Sequence, residues 1–167
     1  MKRIDFIKKF GLLSGSASLI PSNLFATSNL LNKLLPEVGI QLFSLPLLLN
    51  KNFERSISML SNMGYSYLEF FGPYHFSSPS VKDTWKKYSF FPESDNPFSG
   101  FYGNSGKEVK SILSSYKMRS PSIHTDLETL ENHMGELASA ALECGAKYVI
   151  LPSIPTDQRQ NLDQYKK

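Results

Sequence analysis

The sequence predicts a parallel α/β sheet, on three observations. Short strand-like runs alternate with helix-length amphipathic stretches from residue 38 onward. Such alternation, with crossovers long enough to hold a helix, belongs to parallel strands. The runs read as apolar throughout, as expected of strands covered on both faces. The chain has 167 residues, enough for one domain with a real core.

Val38 to Phe43 reads as the first strand, followed by a loop containing Pro46. Phe53, Ile57, Leu60 and Met63 recur at helical spacing, with Asn52 as N-cap and Gly64 as terminator. Tyr67 to Phe71 is the second strand, ended by Gly72-Pro73. The stretch from there to Asn104 is rich in proline and aromatics but lacks a period. A loop of that length is usually functional or holds short irregular elements.

Ser105 to Lys117 predicts a helix. Ser105 and Glu108 form a capping box, and the apolar stripe is Val109, Ile112, Leu113 and Tyr116. Pro121 to His124 is a third strand. Thr125 or Asp126 caps a helix whose stripe runs through Leu127, Leu130, Met134, Leu137, Ala138 and Ala141, closed by Gly145. Lys147 to Leu151 is a fourth strand, and a further helix is expected from Leu162.

Two parallel architectures compete: an open doubly wound sheet and a closed eight-stranded barrel. No Gly-rich phosphate fingerprint follows the first strand, where a dinucleotide fold carries it. The run Gly100 to Glu108 is not a phosphate-binding loop either. Phe101 stands where its first glycine belongs, and Glu108 where Ser or Thr is needed.

Residues 1–26 have the anatomy of an export signal: Lys2, Arg3, Lys8 and Lys9, a weakly apolar stretch from Gly11 to Ile20, then Pro21 and a small Ala26. The apolar stretch is too short to span a bilayer. Cleavage is expected after Ala26, with residues 27–36 as a linker; the other reading is an amphipathic amino-terminal helix that stays in place. The start resembles a twin-arginine signal, with Lys2 where the first arginine would stand. Export to the periplasm follows, with no membrane association after removal.

Of the 18 basic and 15 acidic residues, that segment holds four and one, so the remainder carries fourteen of each. A neutral body lacks the basic face that nucleic acid requires. Cys144 is the sole cysteine. It excludes an internal disulfide and a thiolate zinc site, and reads as a small buried residue.

Several stretches, in order, resemble the xylose isomerase-like sugar phosphate isomerase/epimerase family. Val38-Gly39-Ile40-Gln41-Leu42-Phe43-Ser44-Leu45 is similar to its opening strand, and Met63-Gly64-Tyr65-Ser66-Tyr67-Leu68-Glu69-Phe70 to its second. Pro121-Ser122-Ile123-His124 resembles the third, and Cys144-Gly145-Ala146-Lys147-Tyr148-Val149-Ile150-Leu151-Pro152 the fourth. The resemblance implies a partial (β/α)8 TIM barrel over residues 37–167, comprising the first four strands with their helices. It also implies isomerisation or epimerisation of a sugar or sugar phosphate, by metal-dependent proton transfer next to a carbonyl. The family's divalent-metal ligands lie on later strands, so this chain is expected to hold no metal and to be inactive alone. The alternative is an exported, non-catalytic carbohydrate-binding protein. Unpaired barrel edges imply possible self-association.

Chemistry in such barrels sits at the carboxyl ends of the strands. Glu69, an acid inside an apolar strand, needs a partner; it is either a substrate-hydroxyl acceptor or half of a structural pair. His124 ends the third strand, where the resemblance implies contact with substrate or a metal ligand. Gln41, an uncharged donor and acceptor in the first strand, suits a sugar hydroxyl or a structural role. His75 follows the second strand closely enough to reach the same mouth, whereas His133 reads as a surface residue in mid-helix. Trp85 and Tyr102 are the long-loop rings chosen for stacking on sugar C–H faces. The other aromatics there read as the loop's own small core.

Overall fold

In the computed structural model, residues 37–87 and 99–166 are described. The expected signal segment 1–26, the expected linker 27–36 and the loop aromatics Tyr88, Phe90, Phe91 and Phe98 lie outside them. Four strands make one parallel sheet: β1 (Val38–Gln41), β2 (Tyr65–Phe70), β3 (Arg119–His124) and β4 (Tyr148–Ile150). Their order is β1-β2-β3-β4, without reversal. Parallel crossovers are right-handed, so an unreversed order sends every crossover to the same face. That is the winding of consecutive units of an eight-stranded barrel, and it decides against the doubly wound alternative. Among the described residues, β1 and β4 each have one sheet neighbour.

Six α-helices accompany the strands: α1 (Pro46–Lys51), α2 (Phe53–Asn62), α3 (Pro79–Lys86), α4 (Gly106–Ser115), α5 (Leu127–Asn132) and α6 (Met134–Cys144). Helix α2 packs on β2, α4 on β3, and α6 on β3 and β4, while α4 touches both α2 and α6. The core between this helix layer and the sheet contains Leu68, Phe70, Ile123, Ile57, Val109, Leu113 and Leu137, all at most 1% exposed.

The expectation of uniformly apolar strands is corrected here. In β2, Leu68 and Phe70 are buried while Tyr67 and Glu69 are half-exposed. Side chains alternate along a strand. The helix-covered face is therefore apolar, and the other face is polar and only partly exposed among the described residues.

Helix α4 forms where the sequence indicates. Ser105 Oγ accepts from the Glu108 N–H at 3.3 Å, and Glu108 Oε2 accepts from the Ser105 N–H at 2.7 Å. Ser105→Ala is expected to cost about 1 kcal/mol by removing this cap, read as a lowered urea midpoint with an unchanged slope. Gly106, the first residue of α4, lies against α6; a Cβ there would meet Glu143 Cβ at 2.7 Å. Gly145 closes α6 in the left-handed region, at φ 85°.

Other elements depart from expectation. The first strand ends at Gln41, and Leu42–Ser44 turn into a 3-10 segment. The Pro46 loop is α1, with proline at its start. The long loop contains α3, capped by Ser78. The helix after β3 is two helices, because the backbone leaves helical geometry at His133 (φ −131°, ψ 32°). Asn132, His133 and Gly135 are weak helix formers close together. The break changes the phase: Met134 and Ala138 are exposed, and α6 buries Leu137, Ala140, Ala141 and Cys144. His133 is thus a junction residue rather than a mid-helix one. No α-helix starts at Leu162; Gln164–Lys166 is a 3-10 turn.

Candidate functional site

The polar face of the sheet gathers side chains from three successive strands. Gln41 on β1 pairs in register with Glu69 on β2, and Glu69 with Ser122 on β3. His124 lies two residues beyond Ser122, so it shares that face. Strand pairing alone therefore brings Gln41, Glu69, Ser122 and His124 together near the carboxyl end of the sheet.

Their hydrogen bonds form one directed chain. The Phe43 N–H donates to Gln41 Oε1 at 2.6 Å. That leaves the Gln41 amide nitrogen to donate to His124 Nδ1, at 3.4 Å. His124 Nε2 then carries the proton and donates to Glu69 Oε1, at 2.8 Å. The second carboxylate oxygen, Oε2, accepts from the Ser122 hydroxyl. This order defines the Nε2–H tautomer of a neutral imidazole. The pair is about four-fifths buried, with side-chain exposures of 21% for His124 and 22% for Glu69. From the rear, the Tyr74 hydroxyl donates to the His124 carbonyl at 3.0 Å. Burial pushes the Tyr74 phenol well above its ordinary pKa, so it remains a neutral donor.

Beside this chain opens a cavity of about 450 Å³, bordered by Gln41, His124, Asp126, Phe43, Phe71 and Trp85 among others. The volume is in the range of small-molecule sites. Three rings make its apolar wall. Phe43 meets Phe71 edge-on at 5.3 Å and Trp85 at 6.0 Å, and Phe71 and Trp85 are 5.8 Å apart.

Trp85 owes its position to α3, which is fastened to α5. Ser78 and Ser80 both donate to Glu128 Oε1, at 2.5 and 2.8 Å. Hydrogen bonds from Ser78 first, then Ser80, hold the Glu128 carboxyl below its ordinary pKa near 4.5. A carboxyl lowered in the folded state stabilises it above the unfolded pKa, and that contribution is lost as pH falls through the folded value. Acidification below about 4.5 is therefore expected to release the α3 fastening. The emission of Trp85, the sole tryptophan, reports it, and Glu128→Gln is expected to diminish that acid limb.

Of the residues singled out from sequence, Gln41, Glu69, His124 and Trp85 are gathered at this end of the sheet. His75 is not. It is exposed, its ring packs edge-on against Phe76 at 5.1 Å, and it does not border the cavity. Tyr102 is on the other side of the sheet. It stacks on Phe53 of α2 at 5.8 Å, and Phe53 packs on Phe70, whose side chain opposes Glu69. The Tyr102 hydroxyl is buried with no partner among the described residues, and burial raises its pKa. Ser122 and Asp126 were not expected at the site. Ser122 is detectable in the sequence as the residue two before His124, on the same strand face.

Glu69 and His124 are paired with each other rather than held open toward a divalent ion. Both carboxylate oxygens and both ring nitrogens are engaged within the protein. Among the described residues no group of three His, Cys, Asp or Glu side chains is placed to hold a metal, and no helix is long and apolar enough to cross a membrane.

Neither family models nor curated proteins give a match to this chain. Among solved structures it is similar to a sugar phosphate isomerase/epimerase from Parabacteroides distasonis, at 21% identity and a TM-score of 0.49. The match covers 78% of this chain and 42% of that one, so the chain spans less than half of that protein's length.

Proposed function

We propose that the chain contributes the substrate-seating part of a sugar isomerase or epimerase. The observation carrying this reading is the hydrogen-bonded chain Gln41–His124–Glu69–Ser122 beside an aromatic-walled cavity at the carboxyl end of a parallel sheet. The strand motifs described above support the same reading. A sugar ring offers an apolar C–H face to the Phe43–Phe71–Trp85 wall and hydroxyls to the polar edge. The hydrogen-bond chain holds Gln41 in one orientation, which leaves its second amide N–H and a lone pair on Oε1 in place for sugar hydroxyls.

Proton transfer next to the carbonyl, and the oxygen-polarising divalent ion that the resemblance implies, belong in this proposal to residues other than these four. Millimolar Mg²⁺, Mn²⁺ or Co²⁺ is accordingly expected to leave the melting temperature of the chain unchanged, since only an ion that binds the folded state raises it. The pairing of Glu69 with His124 also favours a second reading, a non-catalytic carbohydrate-binding protein. The test is sugar titration of the 167-residue chain, with and without chelator, in D2O. Sugar binding is expected; without it the seating reading fails. Exchange of a sugar C–H proton for deuterium that stops on chelation assigns chemistry to this chain. Binding indifferent to chelator, without exchange, favours the second reading.

We further propose periplasmic export through residues 1–26. Mass spectrometry of the periplasmic protein should find Thr27 at its start; an intact Met1 refutes cleavage. The single-neighbour edges β1 and β4 are proposed to pair with further strands, whether from the same or another chain.

A further inference from the structure

We infer that the cavity takes an uncharged sugar and discriminates against the corresponding phosphate ester; this inference rests on the sugar-seating reading above. Asp126 borders the cavity, and among the described residues no Lys or Arg does. Asp126 also occupies the start of α5: Oδ1 accepts from the Thr129 N–H at 2.8 Å, and Oδ2 from the Thr129 hydroxyl at 2.7 Å. The Thr129 N–H of the first turn is therefore already facing a carboxylate. A carboxylate accepts about four hydrogen bonds, so Asp126 retains capacity for sugar hydroxyls while repelling an anion.

Of the other charges near the mouth, Glu69 acts in the same direction. The Glu69 carboxylate lies 2.8 Å from His124 Nε2, so a second carboxylate stands behind this part of the border. On α3, Lys82 is turned to the His75 carbonyl at 2.6 Å and Lys86 to Asp83 at 3.1 Å. A cluster of cations does exist: Lys110, Arg119 and Lys147 border a separate recess at the amino end of the strands. Arg119 there faces Glu37 at 3.3 Å. Five residue steps along β3 lead from Arg119 to His124, a span of about 16 Å. Screening acts over about 8 Å at physiological salt. Those cations therefore do not offset Asp126 and Glu69 at the mouth.

The experiment titrates the full chain at physiological salt, where that screening holds, with D-glucose, D-fructose and D-ribose, and with D-glucose 6-phosphate, D-fructose 6-phosphate and D-ribose 5-phosphate. Trp85 emission and calorimetry supply the readouts. At least one neutral sugar is expected to bind at least tenfold more tightly than its ester. Asp126→Asn, which keeps an oxygen for the helix cap, is expected to narrow that gap severalfold. An ester that binds as tightly as its parent sugar overturns the inference and leaves the seating reading intact. If no compound of either kind binds, the seating reading falls and the inference with it. A gap that Asp126→Asn leaves unchanged overturns the assignment of selectivity to this carboxylate.

Discussion

Replacing Phe70 by alanine is expected to destabilise the fold by about 3–5 kcal/mol, the usual cost of emptying a phenylalanine site in a core. Phe70 is fully buried on β2. Its ring meets Phe101 edge-on at 5.3 Å and Phe53 at 6.2 Å, so it joins the sheet to both the first residue of α2 and the turn before α4. Removing it leaves two aromatic neighbours facing a void, with no flexible side chain among these contacts to refill it. Total stabilities are about 5–15 kcal/mol, so the loss is a large fraction of the whole. A urea melt with tyrosine and tryptophan emission measures it. Leu142→Ala on the exposed side of α6, at 78% exposure, is the control, expected within about 0.5 kcal/mol of the parent. A Phe70→Ala loss below 1 kcal/mol would contradict the packing described here.

Removing Glu69 is expected to have the largest effect on the site. Glu69→Ala leaves the His124 Nε2–H and the Ser122 hydroxyl without their shared acceptor. Water reaches this partly open position, so the stability cost is expected near the low end for hydrogen bonds to a charged group, about 1–2 kcal/mol. Sugar affinity is expected to fall tenfold or more, because the imidazole loses the partner that fixes its tautomer. Glu69→Gln should restore most of both. Its carbonyl still accepts from His124, and its amide can donate to Ser122, since a hydroxyl accepts as well as donates. The ¹⁵N shifts of His124 report the difference: the Nε2–H form in the parent and Glu69→Gln, and a tautomer mixture in Glu69→Ala. Affinity unchanged in Glu69→Ala would remove Glu69 from the seating role.

Much of the fold was legible in the sequence where one local signal dominates. Asn52 and Gly64 bracket a helical period, and Ser105 with Glu108 forms the capping box found on α4. The strands followed from short apolar runs bounded by Gly and Pro, and the runs in turn put Gln41, Glu69 and His124 on strands. Short elements were not legible. Helix α3 offers only Val81 and Trp85 as an apolar pair four residues apart, too little for a period, although Ser78-Pro79 is a proper helix start. The break at His133 is invisible to an apolar stripe that runs through it unbroken. Placement across the sheet was the hardest part. Trp85 and Tyr102 look alike as loop aromatics, yet the chain returns to opposite faces of the sheet between them. Local sequence does not encode that return. Asp126 was recognised as a helix cap, but its presence at the cavity depends on where β3 ends.

The alternation along β2 and β3 has a consequence for how this protein can change. Leu68, Phe70 and Ile123 hold the helix layer, while Glu69, Ser122 and His124 face the mouth. Neighbours in sequence thus act in different compartments, with the sheet between them. Substitutions at distant, independent positions tend to combine additively, so the ligand preference of the mouth can be reshaped at Gln41, Ser122 and Asp126 with little disturbance of the core. Within the mouth the opposite holds. Gln41, His124, Glu69 and Ser122 share protons along one line, so a change at any of them alters what its neighbours tolerate. Laboratory evolution of this protein would be expected to yield core mutations one at a time and mouth mutations in sets.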